Sequence, residues 1–167
     1  MKKTFIAIGL ILIGAGLIYW FRQSSAKTET AVVTQVVNEF PNMILTNADG
    51  TQHSAKGLKG KSILILFFTD CDHCQREAKE IQNRLSAFAG YDLWFLSTDP
   101  FPKIEKFAGD YKLKDQLNVH FAQIRFEDVA TYFGSIPTPS VYIYSESKKL
   151  VRAINGETPV DMIVQFL

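Results

Sequence analysis

Two cysteines three positions apart are the residues of this chain best suited to chemistry. They stand in the segment Cys71-Asp72-His73-Cys74, and the 167-residue sequence has no other cysteine. Two sulfurs at this spacing at a helix start can form a disulfide within one turn, and backbone N–H groups there stabilise a thiolate on the first. The second sulfur lies deeper and can attack a mixed disulfide at the first. The segment therefore predicts thiol–disulfide chemistry, with Cys71 as the attacking cysteine and Cys74 as the resolving one.

Charged neighbours act on this pair in opposite directions. His73 can give the thiolate positive charge or a hydrogen bond, whereas the carboxylates of Asp70 and Asp72 disfavour it, so their net effect stays open. A metal site is the main alternative for the cysteines. Two sulfurs do not complete a structural zinc site, however, and His53 and His120 are distant in sequence. The sequence accordingly predicts no metal and no cofactor.

The residues around the cysteines alternate between strand and helix patterns. The run Ser62–Phe68 is apolar throughout, which is typical of a strand buried on both faces of a sheet, and helical spacing of apolar residues follows through Phe88. This order predicts an α/β domain whose central helix begins at the cysteines. The predicted elements are a strand near 32–37, a hairpin of 43–45 and 52–54, strands 62–68, 93–97, 119–122, 140–144 and 150–155, and helices 71–88, 103–111, 127–133 and 160–166.

Two finer predictions concern the core and the last helix. Four aromatic residues are predicted to lie in the core rather than on a binding face: Phe67, Phe68, Trp94 and Phe95. The last helix is predicted to begin with Thr158 as its N-cap and Pro159 at its first position.

The N-terminus predicts export of the domain. Residues 5–21 carry no charge and as a helix would span about 26 Å, the short limit for a transmembrane segment. Lys2 and Lys3 precede the run and Tyr19-Trp20 closes it, which favours an uncleaved anchor with residues 1–4 in the cytoplasm. A cleaved signal peptide and a buried core helix are the alternatives. Residues 22–38 are predicted to be a linker, and residues 39–167 the folded domain outside the cytoplasm.

Composition and charge exclude two other classes of protein. Hydrophobic residues make up 47% of the chain and charged residues 21%, which argues against a disordered protein. The net charge is +1, and the basic excess belongs to the N-terminus, since residues 28–167 carry 14 basic and 17 acidic residues. The domain thus offers no broad basic field for nucleic acid.

The segment Ser62–Ala78, SILILFFTDCDHCQREA, resembles the active-site strand and helix of thioredoxin-like oxidoreductases. It is similar in particular to the membrane-anchored thiol–disulfide reductases of cytochrome c biogenesis. The preceding hairpin and the GLKGK loop (Gly57–Lys61) match those extracytoplasmic members, and the resemblance spans about residues 40–167. It implies a thioredoxin-like fold with a central mixed sheet and an N-terminal hairpin extension, protein dithiol or disulfide substrates, and a membrane-embedded electron donor.

The resemblance also implies roles for single residues. Thioredoxin-like proteins carry a cis-proline just before a strand, where the preceding residue pairs its backbone with the substrate. Thr138-Pro139 stands at that position, with Pro137 as the alternative. Glu77, three residues after Cys74, occupies a position where many members carry a glutamate. It is predicted with His73 to tune the redox pair, although a surface glutamate is the alternative.

Several departures from the thioredoxin pattern keep other functions open. Asp70 replaces the tryptophan that precedes the first cysteine, Ile65 replaces a buried acid, and His73 matches the oxidising DsbA-type proteins. A reductant is nevertheless favoured by the resemblance. The alternatives are a copper-binding module using the two cysteines and one histidine, and a peroxiredoxin-like peroxidase. The peroxidase requires Thr or Ser three residues before its reactive cysteine, where Phe68 stands.

Overall fold

The computed structural model describes residues 38–167, which form a seven-stranded mixed sheet with helices on both faces. The strand order is β2-β1-β5-β4-β3-β6-β7. The strands are β1 (Ile44–Thr46), β2 (Gln52–Ser54), β3 (Lys61–Leu66), β4 (Tyr91–Ser97), β5 (Val119–Gln123), β6 (Ser140–Tyr144) and β7 (Leu150–Asn155). The helices are α1 (Asp72–Asn83), α2 (Phe101–Asp110), α3 (Phe126–Tyr132) and α4 (Val160–Val164), with 3-10 turns at Ala55–Gly57 and Leu85–Phe88.

The central strand β3 is apolar throughout because each of its faces packs against a separate core. Ile63 and Ile65 belong to the core on the side of α1, α2 and α4. Leu64 and Leu66 belong to the core on the other side, with the N-terminal hairpin. Side chains alternate between the two faces of a strand, so a strand covered on both faces needs an unbroken apolar run.

Strand pairing brings two distant chain segments together at the end of strand β3. β3 runs parallel to β4 and antiparallel to β6, with Leu66 opposite Ser140. The chain therefore leaves β3 toward Cys71 at the same place where it enters β6 from Pro139. The predicted mixed sheet flanked by helices, and the hairpin of β1 and β2, are confirmed.

The structure corrects three details of the sequence-based predictions. Phe68 is 41% exposed, because β3 ends at Leu66 and the chain has already turned into a loop. Thr158 is not the N-cap of α4, which is Pro159; the Thr158 N–H donates to Glu77 and its hydroxyl to Gly156 O. The predicted helix of residues 71–88 is α1 followed by a 3-10 turn.

The predicted anchor at residues 5–21 and the strand near residues 32–37 lie outside the described part of the chain. Within residues 38–167, no helix has both the length and the apolar character needed to cross a membrane.

Candidate active site

Cys71 lies at the first turn of α1 and caps it with its own sulfur. Its backbone is extended (φ −91°, ψ 115°), and its Sγ accepts a hydrogen bond from the backbone N–H of Cys74 at 3.4 Å. The side chain is partly exposed. An N-cap acceptor satisfies one of the unpaired N–H groups at a helix start, and the same N–H stabilises negative charge on sulfur. The helix start thus holds a partly exposed sulfur within reach of a backbone N–H donor.

Cys74 faces the core from the same turn of the helix. It is 3% exposed and belongs to the apolar cluster beneath α1. Burial and the hydrogen bond with Cys71 raise the pKa of the Cys74 thiol to about 12. The thiol of Cys74 is therefore protonated at neutral pH and needs a proton acceptor before it can act as a nucleophile.

The loop that presents Cys71 is fixed by a carboxylate on the neighbouring strand connection. Asp99 Oδ2 accepts hydrogen bonds from the backbone N–H of Thr69 at 2.7 Å and from its hydroxyl at 2.8 Å. The side chain of Gln75 donates to Thr69 O at 3.0 Å, which joins the loop to α1. These bonds fix the backbone of Thr69, two residues before Cys71, to Asp99 through its N–H and to α1 through its carbonyl.

Thr138 and Pro139 lie against the cysteines, as predicted. The peptide bond between them is cis, and the thiol of Cys71 donates to Thr138 O at 3.7 Å. The Pro139 carbonyl accepts from the N–H of Gly156 at 2.8 Å, and Gly156 has a φ of +87°, which glycine adopts without strain. The loop between β7 and α4 (residues 156–159, the β7–α4 loop) is therefore anchored beside the same site.

Glu77 is buried, not a surface residue. It is 2% exposed, and its Oε2 accepts the backbone N–H of Thr158 at 3.2 Å. Its Oε1 is buried without a hydrogen-bond partner among the described residues. Burial raises the pKa of this carboxyl to about 7, and the single hydrogen bond from Thr158 only partly offsets that effect. Since Glu77 follows Cys74 by almost one helical turn, both belong to the buried side of α1.

His73 points outward and joins an ion cluster that the sequence did not indicate. Glu157, in the β7–α4 loop, accepts from Arg76 Nε and from Arg76 Nη2, both at 2.7 Å. The Nδ1 atom of His73 contacts the same carboxylate, at Oε2, and also lies 2.7 Å from Arg76 Nη2. Hydrogen bonds from Arg76 and His73 lower the pKa of Glu157 to about 2.

An apolar cavity of about 350 Å³ opens beside Thr138. Its lining includes Phe68, Val129 and Ile136, and Phe126, which is 68% exposed. Exposed aromatic rings at a cavity next to a reactive sulfur provide apolar surface for a binding partner.

The other two histidines belong to a different part of the sheet. His120 stacks on Trp94 with ring centroids 4.5 Å apart, and His53 meets the same indole edge-on at 5.5 Å. Within residues 38–167, no group of three or more His, Cys, Asp or Glu side chains is arranged to hold a metal ion. A copper site made of the two cysteines and one histidine thus finds no third ligand in this region.

Comparison with known proteins places the chain in a family. A family model described as AhpC/TSA matches residues 36–153. The chain belongs to the AhpC/TSA family. A thiol–disulfide oxidoreductase ResA of Bacillus thuringiensis subsp. konkukian is 23% identical over 166 residues, which cover 97% of this chain and 92% of that protein. The predicted resemblance to thioredoxin-like thiol–disulfide oxidoreductases is confirmed.

Solved structures of similar fold agree with this placement. A secreted disulfide oxidoreductase of Mycobacterium tuberculosis, homologous to DsbE of E. coli, matches with a TM-score of 0.60 at 16% identity, covering 75% of this chain and 93% of that one. A copper-bound ScoI of Arabidopsis thaliana matches with a TM-score of 0.61 at 16% identity, covering 77% and 94%. At such identities the matches establish the fold alone, so function has to be argued from the side chains.

Of the predicted site residues, the structure brings Cys71, Cys74, Thr138 and Pro139 together, and it places Glu77 on the buried side of α1 and His73 on the exposed side. Sequence reasoning missed Asp99, Arg76 and Glu157. The contacts of Asp99 with Thr69 span 30 residues, and those of Glu157 with His73 and Arg76 span 84 and 81, so no local pattern pointed to these partnerships.

Proposed function

We propose that this protein is an extracytoplasmic thiol–disulfide oxidoreductase that reduces disulfides in other proteins. The observation that carries the proposal is the unequal placement of the two sulfurs on one helical turn: Cys71 is partly exposed, whereas Cys74 is buried, with the buried carboxyl group of Glu77 three residues further along the same helix. The ResA relative, a thiol–disulfide oxidoreductase by name, supports the activity.

The first step uses Cys71. Its thiolate, held by the Cys74 N–H, attacks one sulfur of a substrate disulfide, and the other substrate sulfur leaves as a thiolate. The product is a mixed disulfide between Cys71 and the substrate.

The second step uses Cys74 and Glu77. The thiol of Cys74 gives its proton to the Glu77 carboxylate and attacks Cys71 Sγ, which forms the Cys71–Cys74 disulfide and releases the second substrate thiolate. In the free dithiol, burial raises the pKa of both groups, that of Cys74 to about 12 and that of Glu77 to about 7, and the proton passes to Glu77 as the sulfur attacks. Two electrons pass to the substrate, and an external dithiol must reduce the protein again.

Substrate recognition is assigned to the edge beside Pro139. Backbone groups of Thr138 offer a strand edge to which an extended substrate peptide can pair. The apolar cavity adjoins Thr138, so it can take an apolar side chain near the substrate cysteine.

Location and partners follow the N-terminal prediction. We infer a single membrane anchor at residues 5–21, the domain on the outer side, and a membrane-embedded dithiol as electron donor. The uncharged apolar run and its aromatic end support this.

Trapping experiments test the function. Reduced protein is mixed with a disulfide-containing protein such as insulin, and turnover is followed with the reductant in excess. We expect wild-type protein to reduce the substrate catalytically. A Cys74→Ser variant should accumulate a mixed disulfide at Cys71. Trapping through Cys74 in a Cys71→Ser variant, without trapping in Cys74→Ser, would reverse the assignment.

A further inference from the structure

The exposed side of the first helical turn carries one anion among two positively charged or chargeable groups. Glu157 lies in the β7–α4 loop, whereas His73 and Arg76 lie on α1, so the contact joins two elements. The side chain of Glu157 is 31% exposed, compared with 61% for His73 and 53% for Arg76. The side chain of Glu157 is thus the least exposed of the three, and its two carboxylate oxygens contact both Arg76 and His73.

The arrangement of Arg76 fixes the geometry of the cluster. Its Nε and Nη2 bind the two different oxygens of Glu157, which is the two-pronged geometry that a guanidinium forms with a carboxylate. Such a pair is more directional than a single contact. Arg76 is therefore held with its charge largely cancelled.

The Nδ1 atom of His73 has a partner in either protonation state. When it carries a proton it donates to Glu157 Oε2; when it does not, it accepts from Arg76 Nη2. The ring therefore need not move as it gains or loses a proton. The cluster is neutral when His73 is neutral and carries a single positive charge when His73 is protonated.

Two members of this cluster, His73 and Arg76, are close to the reactive sulfur in sequence, and Arg76 interacts electrostatically with it. His73 lies inside the C-x-x-C segment, and the pKa of Arg76 is raised by its hydrogen bond to Glu157, with smaller contributions from the charges of Asp72 and Cys71. On the buried side of the helix, Glu157 and Glu80 both add to the raised pKa of Glu77. The charge of Glu157 therefore acts on Arg76, on the exposed side of α1, and on Glu77, on its buried side.

We propose that Glu157 is a positioning residue for the dithiol: it holds His73 and Arg76 together beside Cys71 and cancels one of their positive charges. The Cys71 thiolate is then less stabilised than two free cations would make it. A less stable thiolate disfavours the dithiol form and makes the pair a better reductant. This inference rests on the proposed reductant function and names the group that sets its direction.

A matched pair of variants tests the proposal on the full chain. Glu157→Gln removes the charge from the cluster. Asp161→Asn removes a comparable exposed charge: Asp161, in α4, pairs at 2.6 Å with Arg84, the residue that follows α1, and among the described residues it has no contact with the C-x-x-C segment. Circular dichroism checks that both variants fold.

Two measurements that need no protein substrate give the answer. In Glu157→Gln we expect Cys71 to react with iodoacetamide roughly two- to fivefold faster at pH 7, and the equilibrium with glutathione to shift toward the dithiol by a similar factor. Asp161→Asn should match the wild type in both. The gain should disappear when Glu157→Gln is combined with His73→Ala and Arg76→Gln, because the proposed route runs through those two residues.

Each contrary outcome has a definite meaning. A wild-type alkylation rate and glutathione equilibrium in Glu157→Gln would overturn the proposal. So would a full gain that persists without His73 and Arg76, since Glu157 would then act on Cys71 directly. Failure to reduce insulin, with the expected shifts still present, would count against the proposed function and leave the role of Glu157 standing.

Discussion

The two sides of the first turn of α1 perform opposite tasks with similar residues. On the exposed side, the turn that carries Cys71 also carries His73, which contacts Glu157, and hydrogen bonds from Arg76 and His73 lower the pKa of Glu157 to about 2. On the buried side, Cys74 lies on the same face as Glu77, whose pKa is raised to about 7 by burial. One glutamate therefore stays an anion, whereas the other can exchange a proton near neutral pH.

This difference shows that surroundings, not residue type, assign the roles of the two cysteines. The exposed side gives a substrate access to a sulfur in a field of fixed charges. The buried side excludes water and supplies a carboxyl group that can take the proton of a thiol whose pKa is about 12. Substrate access at Cys71 and proton transfer from Cys74 therefore take place on two sides of a single helical turn.

Replacing each cysteine in turn with serine is expected to give the largest effect. Cys71→Ser should abolish reduction of insulin, because the only sulfur a substrate can reach is gone. Cys74→Ser should also stop turnover, but after the first step, with the substrate bound to Cys71. Non-reducing gels and mass spectrometry separate the two results. If both variants accumulated the mixed disulfide with substrate equally, the two cysteines would not have the different roles proposed here.

Removing the proton acceptor from the buried side should slow the second step. Glu77→Gln keeps an oxygen for the Thr158 N–H but cannot take a proton from Cys74. We expect resolution of the mixed disulfide to slow by roughly 100-fold, the usual range for loss of a general base. Formation of the mixed disulfide should change little. Rapid quenching with acid separates the two rates, and equal slowing of both steps would contradict the assignment.

The sequence predicted the local parts of this site and missed the distant ones. Cys71 and Cys74 are set by spacing on one helix, and the run Ser62–Phe68 identified the central strand because a doubly covered strand has to be apolar. The exposure of Phe68 was missed, since an apolar residue just past a strand end looks like its continuation. Glu157 was missed because its contact with His73 depends on how the β7–α4 loop packs on α1.

The buried glutamate, Glu77, also allows a stability measurement that is independent of catalysis. Its pKa is raised from 4.5 to about 7 on folding, so the folded state binds more protons than the unfolded one between these values. Folding stability contributed by Glu77 is therefore present below pH 4.5 and is lost as pH rises through 7, by at most about 3 kcal/mol. Glu77→Gln should remove this loss in urea titrations at pH 5 and 8.

Glu80 offers the matched control for that measurement. It also accepts a backbone N–H of the α4 region, from Val160 at 3.2 Å, but its side chain is exposed. Glu80→Gln should reduce the pH dependence between pH 5 and 8 much less than Glu77→Gln does, because the charge of Glu80 is a smaller cause of the raised pKa of Glu77 than burial is. An equal effect from both variants would mean that burial is not what distinguishes Glu77.

The apolar cavity beside Thr138 should matter only for protein substrates. Phe126→Ala removes a ring that is 68% exposed and lines the cavity. Loss of part of this contact area should raise KM for a protein disulfide by roughly fivefold, or about 1 kcal/mol. Reduction of a small disulfide such as oxidised glutathione should stay unchanged. Leu117→Ala, at a side chain that is 99% exposed and outside the cavity, serves as the control.

The smallest effect is expected at Asp70, although it directly precedes Cys71. Its carboxylate binds Lys103 Nζ at 2.8 Å, and the two side chains are 82% and 53% exposed, so both the lysine and water screen its charge. Asp70→Asn should change the alkylation rate of Cys71 by less than about twofold, against the larger gain expected for Glu157→Gln. Both carboxylates belong to ion pairs, but Glu157 alone holds two partners and is partly enclosed. If Asp70→Asn accelerated alkylation more than Glu157→Gln, nearness in sequence would outweigh enclosure in setting the field at Cys71.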